Sequence, residues 1–194
     1  MMHTPKTGGT WAKNVLNSCG YIAETLKPKF QRAHPPSRDV LKEYPGWFSF
    51  TFVRFPTTWL QSYWAHAHST GFTNIDGIVG PMRDLRSPTF HKFLELYLEK
   101  CPGEVGRMYQ RCTTGVRFIG IFERLRDDLL RALAASGRKV HPWHRQIILQ
   151  FPAANVMRIK PDKLELITYT EELLYAVLEA EKIFIEKYEE IRKC

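Results

Sequence analysis

Residues 47–53, Trp-Phe-Ser-Phe-Thr-Phe-Val, are aromatic or β-branched almost throughout and are bounded by Pro45-Gly46 on one side and Pro56 on the other. Side chains of this kind suit a pleated, enclosed surface, and prolines at both ends stop the ladder, so the run predicts a short buried strand. Val116 to Phe122 is a second candidate strand. Between and around them the pattern is helical. Thr10 begins a run that Gly20 can end, residues 57–68 follow Pro56, and Phe90, Phe93, Leu94, Tyr97 and Leu98 recur at helical spacing. Further helices are expected from Leu125 to Ala135, stopped by Gly137, and from Glu171 to the end. Strands alternating with helices predict an α/β fold with a mostly parallel sheet. Met1 to Thr4 is too short for a full strand, and residues 71–88, with three glycines and two prolines, read as a long surface loop.

At 194 residues, 44% of them hydrophobic, the chain is long enough for one domain with a sizeable core, which excludes wholesale disorder. No apolar stretch approaches a membrane span and residues 1–25 lack a signal-peptide pattern, so a soluble cytoplasmic protein is expected. Cys19, Cys101, Cys112 and Cys194 form no C-x-x-C pair, which argues against a zinc site and for free thiols. The net charge is +8 but uneven. From Leu166 onward seven acidic residues face four basic ones, a balance of −3, which leaves +11 on the first 165 residues. An excess of that size favours a polyanionic partner, be it nucleic acid, an acidic polysaccharide or a phosphorylated small molecule.

Three constellations carry chemistry. Pro5-Lys6-Thr7-Gly8-Gly9-Thr10-Trp11 leads into the first helix. Its glycines allow successive N–H groups to converge on an anion, the helix N-terminus adds partial positive charge, and Lys6 and the threonine hydroxyls supply further donors. The lysine precedes the glycines, so this is not a Walker A loop. Arg54 stands at the carboxyl end of the strongest strand, where ligands bind in open α/β sheets, and Ser62 follows eight residues later. Arg32-Ala33-His34-Pro35-Pro36 lies just upstream, and a histidine there can take a proton from an attacking hydroxyl.

In order and spacing the three together resemble the sulfotransferases that use 3′-phosphoadenosine 5′-phosphosulfate (PAPS). That family's 5′-phosphosulfate loop reads Pro-Lys-Ser/Thr-Gly-Gly/Thr-Thr-Ser/Trp, matched throughout by residues 5–11. Its 3′-phosphate motif is matched at Val53, Arg54, Pro56 and Ser62, and its cytosolic branch has a basic residue and a histidine in the place of Arg32 and His34. Phe118-Ile-Gly-Ile-Phe122-Glu123 is similar to the family strand whose closing aromatic lies near adenine, and Arg158 with Lys160 is similar to its late basic loop. Phe55 replaces the usual Asp or Asn, and Trp59 stands where many carbohydrate enzymes have a second arginine.

The resemblance implies a three-layer P-loop NTPase-like fold, with a mostly parallel central sheet flanked by helices, in one domain over residues 1–194. It implies sulfuryl transfer from PAPS to a hydroxyl or amine of a small molecule or carbohydrate, leaving adenosine 3′,5′-bisphosphate, with no metal, nucleic acid or membrane partner expected. His34 would be the general base and Lys6 the catalytic cation. Lys6, Thr7, Gly8, Gly9 and Thr10 would hold the 5′-phosphate, Arg54 and Ser62 the 3′-phosphate together with Arg158 and Lys160, and Trp11 and Phe122 the adenine. Arg32 would orient the acceptor. A nucleotide kinase or other P-loop NTPase is a rival that lacks its Walker A order here. A basic nucleic-acid-binding module is another, although the cations are scattered rather than grouped in a recognition motif.

Overall fold

The computed structural model describes residues 1–2, 4–21, 35–72, 80–153 and 167–193. They form α1 (Gly9–Ser18), α2 (Ser37–Glu43), β1 (Phe50–Val53), α3 (Pro56–Ser69), α4 (Phe90–Lys100), α5 (Glu104–Thr113), β2 (Phe118–Ile121), α6 (Leu125–Ala135), α7 (Pro142–Gln150), α8 (Glu171–Ala180) and α9 (Lys182–Lys193). Short 3-10 turns occupy Gly80–Asp84 and Phe122–Arg124. The chain divides into two compact units, one of Met1–Arg54 with Gln110–Val156 and one of Phe55–Tyr109 with Met157–Cys194.

The protein is mixed α/β and mostly helical. β1 and β2 pair in parallel, with Phe50 opposite Phe118 and Val53 opposite Ile121. Among the described residues the sheet has these two strands, and the three-layer arrangement around a central sheet that the resemblance implies is not seen there. The physical reasons are local. Pro56 turns the chain straight from β1 into α3, with proline at a first-turn position where its missing N–H is harmless. Met2 donates its N–H to the Phe50 carbonyl at 2.8 Å, a single bond to β1 rather than a ladder.

In the first unit β1 is enclosed along its whole length, and Phe50 and Phe52 meet edge to face at 6.0 Å. They share one core with Trp11, Val15 and Leu16 of α1, Leu129 and Leu133 of α6, and Ile148 of α7. β2 and α6 approach closely at Gly120, where a Cβ would lie 2.7 Å from the Phe52 ring and 2.8 Å from Asp128 Cβ. Buried Asp128 fixes that approach, accepting the Ile121 N–H at 2.8 Å and an Arg131 N–H at 3.1 Å.

The second unit has an aromatic core. Trp59 is fully enclosed and stacks on Tyr63 at 5.2 Å, and Tyr63 meets Phe93 of α4 at 5.7 Å. The buried Trp64 indole donates to the Ser87 carbonyl at 3.2 Å. The Tyr169 hydroxyl donates to the Thr57 carbonyl at 2.9 Å, tying the approach to α8 onto α3.

The single helix expected from Glu171 is two, α8 and α9, separated at Glu181. Its carboxylate is turned into the core, where it accepts N–H bonds from Gly106 at 2.8 Å and Val105 at 3.3 Å and the hydroxyl of Tyr97. Three buried donors reward the bend that brings the carboxylate there.

Candidate functional site

The approach to α1 is held by threonines. The side-chain oxygens of Thr4 and Thr51 share a hydrogen bond of 2.7 Å, and the Thr51 hydroxyl also reaches the Met2 carbonyl at 3.1 Å. The Thr7 hydroxyl donates to the Thr4 carbonyl at 2.9 Å. Between these anchors the backbone is left-handed at Lys6, φ 60°, and again at Gly8, φ 81°. A left-handed lysine is uncommon and is maintained only where its surroundings over-determine it, which the threonine bonds on either side do here.

Gly8 caps α1, and no side chain caps that end. The first intrahelical bond of the turn runs from the Ala12 N–H to the Gly8 carbonyl at 2.9 Å. The amides that precede Ala12 therefore have no acceptor within the helix, and the helix dipole concentrates positive potential there. Gly8 is needed twice over, for its φ and for space, since a Cβ would lie 2.5 Å from Leu125 Cδ2 and 3.3 Å from the Phe122 ring. The loop thus rests directly on the segment that leaves β2.

Two cations flank it. Burial, and after it the charge of Arg54, push the Lys6 ammonium down to about 8. Arg54 leaves β1 one residue beyond Val53, and Phe122 leaves β2 one residue beyond Ile121. Parallel register carries the two side by side, and the Arg54 guanidinium lies over the Phe122 ring at 4.3 Å from its centre. The first unit therefore brings together Lys6, Gly8, Gly9, Arg54 and Phe122, all of them expected site residues. An anion set against such a cluster would relieve the repulsion between Lys6 and Arg54 and fill the acceptor role that the helix end leaves open. Donors of this kind suit an anionic group such as a phosphate.

Other expected residues lie differently. The Thr7 hydroxyl is buried and committed to the Thr4 carbonyl, so its side chain faces away from a phosphate, while Thr10 is exposed in the first turn of α1. Trp11 is 4% exposed and belongs to the core, edge to face with Phe151 at 6.4 Å, so it offers no open ring face for adenine. Ser62 is half-buried on α3 of the second unit. Phe55, in the place of the usual carboxylate or amide, meets Tyr188 of α9 at 5.3 Å, and Trp59, in the place of a second arginine, is core. Both departures from the motif are apolar packing residues of the second unit. Arg32, His34, Arg158 and Lys160 lie outside the described residues.

Thr4, Thr51 and Leu125 shape the loop and were not expected to. A threonine pair separated by 46 residues leaves no periodic signal, and a leucine under a glycine reads as ordinary core. Cys19, Cys101 and Cys112 are free and buried, and Cys194 lies outside the described residues. No described helix is long and apolar enough to cross a membrane. In comparisons with known proteins the chain matches no family model, no curated protein and no solved structure.

Proposed function

We propose that the protein is a sulfotransferase that moves the sulfuryl group of PAPS to a hydroxyl or amine on a small molecule or carbohydrate. The observation that carries this reading is the grouping of Lys6 and Arg54 near the uncapped start of α1, with the Arg54 guanidinium over Phe122 and Lys6 pushed down to about 8 by burial and by Arg54. Two mutually repelling cations beside a helix N-terminus gain most from a ligand carrying more than one phosphate charge.

His34 takes the acceptor proton as the acceptor oxygen or nitrogen bonds to sulfur, and the bond from sulfur to the bridging oxygen breaks. Lys6 neutralises the charge that develops on that departing oxygen. Donors aimed at developing charge are typically worth about 3–4 kcal/mol each. The amides at the start of α1 hold the 5′-phosphate, Arg54 holds the 3′-phosphate, and Phe122 lies beside the base. Arg32 orients the acceptor.

Calorimetric titration with adenosine 3′,5′-bisphosphate tests the nucleotide half of this reading, and a transfer screen across glycans, phenols and steroids tests the acceptor half. Tighter binding of magnesium ATP than of the bisphosphate would overturn it in favour of a kinase or NTPase.

A further inference from the structure

Far from the Lys6 loop, the other end of α1 meets a surface of a different character. Residues 129–161 contain no Asp or Glu, whereas Arg131, Arg138, Lys139 and Arg145 lie among them. These four side chains are all exposed. α7 packs against α1 and α6. α1 carries no carboxylate, and the two on α6 are in its first turn, where Asp128 is buried beneath Ile121 and Arg131. Arg131 is paired with Asp128, so the positive excess around α7 rests on Arg138, Lys139 and Arg145.

α7 also exposes large apolar side chains. Trp143 is 52% exposed and Leu149 39% exposed, both on α7. The Trp143 ring is held over His144 at 3.7 Å, and His144 is buried with its Nδ1 3.0 Å from the Tyr21 hydroxyl. The Arg138 guanidinium lies 5.6 Å over the Tyr21 ring. Tyr21 and His144, bonded to each other, thus lie beneath the exposed Trp143 indole and the Arg138 guanidinium.

We propose that α7 and the residues leading into it dock the protein on an anionic lipid surface. Cations alone would suit any polyanion, but Leu149 has no counterpart in a phosphate or sulfate chain. An indole and an exposed leucine among arginines are what the boundary between headgroups and acyl chains accommodates. Charge complementarity with an acidic leaflet supplies the attraction, and shallow insertion of Trp143 and Leu149 adds the apolar part. This surface shares no residue with the nucleotide site and does not depend on that reading.

Sedimentation of the full chain with vesicles tests it, using phosphatidylcholine alone and phosphatidylcholine with about a third phosphatidylserine. The chain is expected to partition onto the second and not the first. Replacing Arg138, Lys139 and Arg145 together by Ala should lower that partition about a hundredfold, at about fivefold per cation. Trp143→Ala with Leu149→Ser keeps the charge and should lower it about tenfold or more. Replacing both arginines by Lys should preserve binding, and circular dichroism confirms that each exposed variant folds. Equal sedimentation with both vesicle types would overturn the proposal. So would binding unaffected by the Trp143 and Leu149 changes, or a single-stranded oligonucleotide bound more tightly than the acidic vesicles.

Discussion

Arg54 and Phe122 meet because each is the first residue beyond one of two parallel register partners, Val53 and Ile121, which sets the guanidinium 4.3 Å over the ring. The stack holds a long, flexible cation in one orientation at the carboxyl end of the sheet, where Lys6 feels its charge.

Arg54→Ala is expected to weaken adenosine 3′,5′-bisphosphate binding by about tenfold to a hundredfold, the usual worth of a hydrogen bond to a charged group. Arg54→Lys keeps the charge but loses the planar stack, and should recover only part of the affinity. Calorimetry on both variants checks this, and an Arg54→Ala protein with native affinity would remove Arg54 from the site.

Lys6 gives the site a pH signature. Its folded value is near 8 against 10.5 for an ordinary lysine, because burial and Arg54 disfavour the charged form. The folded protein then binds fewer protons than the unfolded chain between those values, so stability rises as pH increases from about 8 toward 10.5. Anion affinity moves the other way, since the cation is lost through the same range. In Lys6→Gln both slopes should flatten, as measured by urea midpoints and by bisphosphate titrations on either side of pH 8.

Gly8 tests the loop's geometry without touching a charge. Gly8→Ala must force a Cβ into a left-handed position and to within 2.5 Å of Leu125, and is expected to cost about 1–3 kcal/mol. Adding Leu125→Ala should relieve the clash but not the backbone term. Urea unfolding of the single and double variants separates the two, and full recovery in the double variant would show that sterics alone held Gly8.

The sequence made the helices with strong signals legible. α4 spans Phe90–Lys100 and α6 spans Leu125–Ala135 as their apolar spacing predicts, and Gly137 follows α6 at φ 76°. α5 was missed although Val105, Met108, Tyr109 and Cys112 repeat at helical spacing, because Gly106 interrupts the run. A Cβ there would lie 2.9 Å from Phe184, so close approach of α9 explains the glycine. Local pattern located both described strands, β1 and β2, but it reports which segments suit a strand and not how wide a sheet they build, and the larger sheet that the resemblance implies is not seen among the described residues. That Lys6, Gly8 and Arg54 belong to one neighbourhood is legible because a glycine turn before a helix and a cation at the end of a strand are local patterns that parallel pairing brings together. The burial of Trp11 is not legible, because an indole at the start of a helix looks the same in sequence whether it faces a ligand or the core.

Glu181 is the structural counterpart in the second unit, a buried carboxylate that holds three donors. Glu181→Ala strands the Tyr97 hydroxyl and the Val105 and Gly106 amides, and should cost about 3 kcal/mol. Glu181→Gln keeps one carbonyl acceptor and should cost less. Burial raises the Glu181 carboxyl above its ordinary value, with the hydrogen bonds from Tyr97 and the two amides opposing it. The folded state then holds the proton to higher pH than the unfolded chain does. This group's contribution is accordingly full below the ordinary glutamate value and is lost as pH rises through the raised one. Urea midpoints of the native protein and of Glu181→Gln, compared across the mildly acidic range, should converge as pH rises. A constant difference between them would mean that the carboxylate titrates alike in the folded and unfolded chains.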